Sequence, residues 1–115
     1  VKRLLILSVL ALSSCAPLLS AVQGDDATLT RDTGSVVFTA GKTNAEDVAV
    51  YLSGPGLTVS GEGVACKVVS SGIGCALGTV PAGKRFRLIV NASPKSGNAS
   101  FYRPGSARPV LTPLQ

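Results

Sequence analysis

From about Thr28 onward, apolar and polar residues alternate with a period near two, in short runs separated by turn-forming clusters. The clearest run is Arg85–Ala92, where Phe86, Leu88, Val90 and Ala92 fall on one face and Arg85, Arg87, Ile89 and Asn91 on the other. That is the signature of a half-buried strand, because successive side chains point to opposite sides of a sheet. Val48, Val50 and Leu52 repeat it, as do Val36 with Phe38 and Leu57 with Val59, so these positions are assigned to the core. Strands are expected at Thr28–Arg31, Ser35–Ala40, Val48–Leu52, Leu57–Ser60, Val64–Val69, Ile73–Leu77, Arg85–Ala92, Ala99–Arg103 and Arg108–Leu111. Between them lie Asp-Thr-Gly, Gly-Lys-Thr-Asn, Ser-Gly-Pro-Gly, Ser-Gly-Glu-Gly, Ser-Ser-Gly, Pro-Ala-Gly-Lys and Ser-Pro-Lys-Ser-Gly-Asn, all rich in turn formers. Beyond the N-terminus no long window carries helical spacing. The pattern predicts an all-β, two-sheet sandwich of seven to nine short strands.

The N-terminus follows a different rule. Lys2 and Arg3 precede an apolar stretch, Leu4–Leu12, of signal-peptide length and too short to span a bilayer stably. Leu12-Ser13-Ser14-Cys15 follows and resembles the lipobox of bacterial lipoproteins. The resemblance implies that the Cys15 thiol takes a diacylglyceryl group and that Cys15 becomes the first mature residue. The chain then divides into a signal peptide (1–14), a lipidated tether (15–26) and a folded domain (27–112). It would be exported and lipid-anchored in the cell envelope. With Ala rather than Asp at position 16, it would go to an outer membrane where the organism has one. The alternative is an ordinary cleavage site after Ala21, with Cys15 inside the removed leader.

Cysteine arithmetic favours the anchor. The chain has three Cys, and an odd thiol in an exported protein needs a fate. Lipid on Cys15 leaves Cys66 and Cys75 as a pair on two neighbouring strands. No third or fourth ligand accompanies them for a metal, and behind a signal peptide a disulfide is the default. Closing so short a loop stabilises by about 2–3 kcal/mol in the chain-entropy model, a large share of what a small β domain has.

From Cys75 the chain reads Cys-Ala-Leu-Gly-Thr-Val-Pro-Ala-Gly-Lys-Arg-Phe-Arg-Leu-Ile-Val. This resembles the repeated immunoglobulin-like domain of unknown function of bacterial cell-surface proteins. There a Cys-x-Leu-Gly turn leads into an alternating strand, with a partner Cys upstream. Cys66, Cys75, Leu77, Gly78, Ala82, Gly83 and Val90 carry the match, which spans roughly residues 34–103. It implies an immunoglobulin-like sandwich and brings no catalytic residues. Leu52-Ser53-Gly54-Pro55 stands where the family has an acidic residue and Leu-Pro, and this is one copy where the family has tandem arrays.

Composition narrows the chemistry. There is no His, the commonest general base and metal ligand. The six acids lie mainly in two pairs, Asp25-Asp26 and Glu46-Asp47, which are read as solvated carboxylates rather than an acid/base or metal site. No enzyme activity, metal or cofactor is expected. Gly78 to Lys84 fits seven positions of a P-loop, but Arg85 stands where Ser or Thr should hold magnesium, and a strand rather than a helix follows. The net charge of +5 includes Lys2 and Arg3, and without them nine basic residues face six acids. So mild an excess does not make a nucleic-acid footprint. Lys84, Arg85 and Arg87, with Lys95, Arg103 and Arg108 expected nearby, form a candidate anion-binding face for phospholipid, lipopolysaccharide or acidic glycan. The competing reading is a solvated strand face. The expected function is a non-enzymatic binding or structural module of the envelope, partnered by a membrane through its lipid and by an envelope protein or anionic glycan or lipid. A small-ligand or acidic-glycan carrier is the alternative; with two Tyr and no Trp, stacking residues for sugars are scarce.

Overall fold

The computed structural model describes residues 25–115. These form nine strands: β1 Thr28–Asp32, β2 Ser35–Thr39, β3 Ala45–Ser53, β4 Val59–Ser60, β5 Ala65–Val69, β6 Gly72–Val80, β7 Arg85–Val90, β8 Ser96–Tyr102 and β9 Pro109–Pro113. They build two sheets in the orders β9-β8-β3-β6-β5 and β1-β2-β7-β4, every pairing antiparallel. The fold is all-β, a two-sheet sandwich. The spatial orders match the G-F-C-C′-C″ and A-B-E-D orders of a variable-type immunoglobulin sandwich. The route differs: the chain lays down β4 in the small sheet before returning to the large one for the β5–β6 hairpin.

The core lies where alternation put it. Val36 and Phe38 of β2, Leu88 of β7, Val48, Val50 and Leu52 of β3, and Ala99 and Phe101 of β8 are all buried. Phe38 and Phe101 meet across the two sheets edge to face, centroids 5.4 Å apart, a favoured arrangement of ring quadrupoles. Leu57, Val59 and Phe86 pack against this core half-buried.

Strand ends depart from expectation for local reasons. β3 starts at Ala45 because a bulge at Asp47 (φ 54°) lets the pairing with β6 resume at Val48 opposite Gly78 (φ 75°). A bulge of this kind hides a strand inside a sequence that reads as a turn. β7 ends at Val90, and Ala92, expected on the core face, is exposed. The cause is Asn91: its amide oxygen accepts from Thr58 N–H (2.8 Å) and its amide nitrogen donates to the Gly56 carbonyl (2.8 Å), so the chain turns away to hold the β3–β4 loop.

The two sides of the sandwich are unlike. On one, Leu114 bridges Leu29 in parallel pairing, Gln115 N–H donates to the Leu29 carbonyl (2.9 Å), and Leu114 N–H donates to Gly97 (2.9 Å), so the chain passes from β9 onto β1 and closes the seam. On the other, β4 offers only two residues and β5 runs along the large sheet's edge without a neighbour beyond it.

Candidate functional site

Three places gather polar or reactive groups, and they differ in how far those groups remain available. The first is Arg103, just beyond β8. Its guanidinium donates to Asp25 through Nε (3.1 Å) and Nη2, to Asp26 (2.9 Å), and to the carbonyls of Ala40 (2.8 Å), Thr43 (2.8 Å) and Asn44 (3.2 Å). It also lies over the Phe101 ring, 4.8 Å from the centroid. Arg103 and Asp25 side chains are only 16% and 14% exposed. Asp25 was expected to be solvated; it is instead enclosed, because the fork geometry of Arg matches a carboxylate and neighbouring carbonyls at once. The Arg103 hydrogen bond holds the Asp25 carboxyl below its ordinary value, against the opposing effect of burial, and the Ala27 N–H bond to the same carboxylate adds to it. Gly41 (φ 91°) makes room: a Cβ there would stand 2.5 Å from the Asp26 carboxylate. The guanidinium donors are committed to acceptors within the chain, so the knot fastens Asp25 and Asp26 to the sandwich and does not bind from outside.

The second place is the outward face of the small sheet. Arg85 and Arg87 both emerge on it from β7, opposite Thr39 and Val37 of β2. Arg87 reaches Ser35 Oγ (3.3 Å) and lies 4.0 Å from the Asp32 carboxylate, an exposed pairing of small energetic worth. Lys84, also exposed, sits in the turn before β7. The neighbours named with them are dispersed. Arg103 is near in space, since Ala40 N–H bonds the Lys84 carbonyl, but its charge is committed to Asp25 and Asp26. Lys95 sits at the far end, where its N–H bonds Ser53 at the close of β3 and its carbonyl accepts from Arg31. Arg108 follows the β8–β9 turn, its N–H donating to Ser106 Oγ. The basic face therefore loses Arg103, whose charge is committed, and Lys95, which lies at the other end of the sheet.

The partial P-loop is a tight strand connection. Its amides are taken: Ala82 N–H by Asn44 Oδ1 (2.9 Å), Gly83 N–H by the Gly41 carbonyl (2.7 Å), and Lys84 N–H by the Pro81 carbonyl (3.0 Å). These three are not available to cradle a phosphate.

The third place is β5. Cys66 and Cys75 form a disulfide across the β5–β6 pair, with Cα atoms 4.1 Å apart. That closeness belongs to a non-hydrogen-bonded pair. Counting from the Ser70-Ser71 turn agrees: Val69–Gly72, Lys67–Gly74 and Ala65–Ala76 exchange bonds, while Cys66 and Val68 turn their N–H and C=O groups away from β6. Those groups form the free edge. A recess flanks the strand on each face. On the outer face, Ala49, Ala76, Ala65 and Gly74 leave a shallow apolar trough of about 360 Å³ beside Lys67. On the inner face, Val68, Ile73, Leu57 and Gly72 line a cleft of about 280 Å³ where the hairpin overhangs the shorter sheet. Val68, though on the core-facing side of its strand, is 82% exposed. Gly72 permits the overhang: a Cβ there would strike the Tyr51 ring, whose hydroxyl pairs with Ser71 Oγ (2.6 Å).

Sequence reasoning placed a strand at Val64–Val69 but did not find its edge, because strand order is a property of tertiary pairing. Its one local signal was Lys67 in the middle of an apolar run, a common device of edge strands. Cys15 lies outside the described residues. Among the described residues, no group of three or more His, Cys, Asp and Glu side chains is arranged to hold a metal ion. No family model, curated protein or solved structure matches the chain.

Proposed function

We propose that the chain is a lipid-anchored envelope protein whose β-sandwich acts, without catalysis, as a binding module for another envelope component. The observation that carries this reading is the Cys66–Cys75 disulfide. It fits an oxidising compartment outside the cytoplasm, and it uses two of three cysteines, leaving Cys15 at the end of the apolar leader as the odd thiol. The resemblance of Leu12-Ser13-Ser14-Cys15 to a lipobox supplies that thiol's fate. The likeness around Cys75 to an immunoglobulin-like surface domain favours binding over chemistry, as does the absence of His from the chain. The Arg103 knot suits a tethered domain, since it fastens Asp25 and Asp26, the last two residues of the expected tether, to the sandwich.

The test is expression of the full chain in a bacterium that lipidates its own proteins, followed by mass analysis of the mature N-terminus and detergent partition. Acylated Cys15 in the membrane fraction is expected, and Cys15→Ala should move the protein to the soluble fraction with the disulfide intact. An unmodified Cys15 thiol, or a mature chain beginning after Ala21, overturns the anchor. A second reading, a face for anionic lipid or acidic glycan, is favoured by Arg85 and Arg87 sharing one outward surface. Replacing both by Glu should abolish binding to anionic vesicles, and unchanged binding ends that reading.

A further inference from the structure

We infer that β5 is the docking edge of this module, and that it takes an extended peptide strand from a partner whose side chains alternate apolar and polar, with an acidic residue opposite Lys67. The inference deepens the binding-module reading and does not depend on the lipid anchor. Strand addition needs three things: unpaired backbone groups in register, pockets for alternate side chains, and a feature that selects the partner.

The free edge supplies the first. Cys66 and Val68 point N–H and C=O groups outward at the two-residue repeat that an incoming antiparallel strand requires. The disulfide holds that edge flat against β6, so little ordering remains to be done on binding. The flanking recesses supply the second. Side chains of an added strand opposite Cys66 and Val68 would enter the inner cleft with Leu57, Val68 and Ile73. The intervening ones would lie beside Lys67 over the trough of Ala49, Ala65 and Ala76. Val68, at 82% exposed on a core-facing position, is what a missing neighbour leaves bare.

Lys67 supplies the third. Its side chain is exposed on the outer face opposite Gly74, and among the described residues no hydrogen bond or ion pair engages its ammonium group. It also argues against a second copy of the chain. The register pairing all five residues of β5 with their own copies sets Lys67 directly against Lys67, and like charges facing each other across a pair of strands repel. An acidic residue in the same position is attracted. The other edges are poorer acceptors: β9 begins and ends in Pro, β1 is covered by Leu114 and Gln115, and β4 has two residues.

The experiment uses the full chain, isotope-labelled, in detergent micelles, with the synthetic peptide Thr-Val-Thr-Val-Glu-Val-Thr-Val-Thr as probe. Saturable binding is expected, with amide shifts centred on residues 64–69 and exchange of the Cys66 and Val68 amides slowed at least tenfold. Val68→Pro removes one outward donor without touching the bonds to β6 and should abolish binding while the melting curve stays in place. Lys67→Glu should weaken binding about tenfold, and a peptide with Lys for Glu should restore it. Shifts centred on β1 or β9, or affinity indifferent to both substitutions, overturn the inference. So does a concentration-dependent dimer of the chain that Val68→Pro dissolves, which would make a second copy the occupant. Because the probe reads the edge in micelles, a negative result here leaves the anchor untouched, and an unmodified Cys15 leaves the edge untouched.

Discussion

The two sides of this sandwich solve the same problem by opposite means. On the β1–β9 side the chain closes on itself: Leu114 and Gln115 pair with β1, and Arg103 binds Asp25, Asp26 and three carbonyls nearby. On the β4–β5 side a covalent bond holds a hairpin whose outer edge pairs with nothing in the sandwich. The difference shows where stability and availability part. A buried, fully partnered polar group stabilises but can bind nothing else, whereas an edge stapled by a disulfide stays ordered while its backbone groups remain free.

The largest effect should come from breaking the closed side. Arg103→Ala removes the donor to two carboxylates and three carbonyls and leaves Asp25 enclosed without its cation. Losing one partner of a fully buried ion pair costs about 3–5 kcal/mol; this pair is part-buried, so equilibrium urea unfolding should show a loss of about 3 kcal/mol, the low end of that range. Arg103→Lys should recover only part, because an ammonium cannot match the fork. A loss below about 1 kcal/mol, the worth of an exposed ion pair, would mean the knot is ornamental.

Next comes the open side. Replacing Cys66 and Cys75 together by Ala should destabilise by about 2–3 kcal/mol through loss of the loop constraint. The comparison sharpens in where the loss appears. Hydrogen exchange should accelerate most across β5 and β6 and least across β1 and β9, since only the hairpin depends on the staple.

A smaller effect separates the sides by pH. The Asp25 carboxyl is held below its ordinary value, chiefly by its hydrogen bond from Arg103. Its contribution to stability is therefore full above the unfolded carboxylate value of about 3.9. It is lost as pH falls from there through the lowered folded value. Asp25→Asn should flatten the acid limb of the stability curve and cost about 1–2 kcal/mol at pH 7. Reduction of the disulfide should leave the slope of that limb unchanged, because no titrating carboxylate takes part in the staple.

How far the sequence carried these features depended on range. Alternation at Arg85, Phe86, Arg87, Leu88, Ile89 and Val90 sufficed to find β7 and its core face, because period two is a property of the strand alone. Cys66 and Cys75 could be paired because they lie close in sequence and the expected leader implied export. Asp25 could not be recognised as half-buried and paired, since its partner is 78 residues away. β6 was cut short at Leu77 because Gly78 reads locally as a turn, and only the bulge at Asp47 shows that it is not one. The availability of β5 lay furthest from view: it follows from which strand has no neighbour, and no residue within β5 encodes that beyond Lys67.

The smallest change in stability should reveal the most about the open side. Lys67 is exposed, so Lys67→Thr should shift the unfolding free energy by no more than about 0.5 kcal/mol. Its consequence should appear in self-association. With Lys67 in place, full-length pairing of β5 with its own copy sets like charges opposite each other; with Thr there, the two residues face across the pair without repulsion and the edge has strong strand formers on either side. Sedimentation velocity should therefore show a monomer for the parent chain, and for the variant a dimer that grows with concentration and is dissolved by adding Val68→Pro. A variant that stays monomeric at the highest soluble concentration would mean that the edge is guarded by something other than charge, and that Lys67 does not select its partner. The closed side has its own control in Arg108→Thr, where the edge next to it already carries Pro109 and Pro113 and no association should follow.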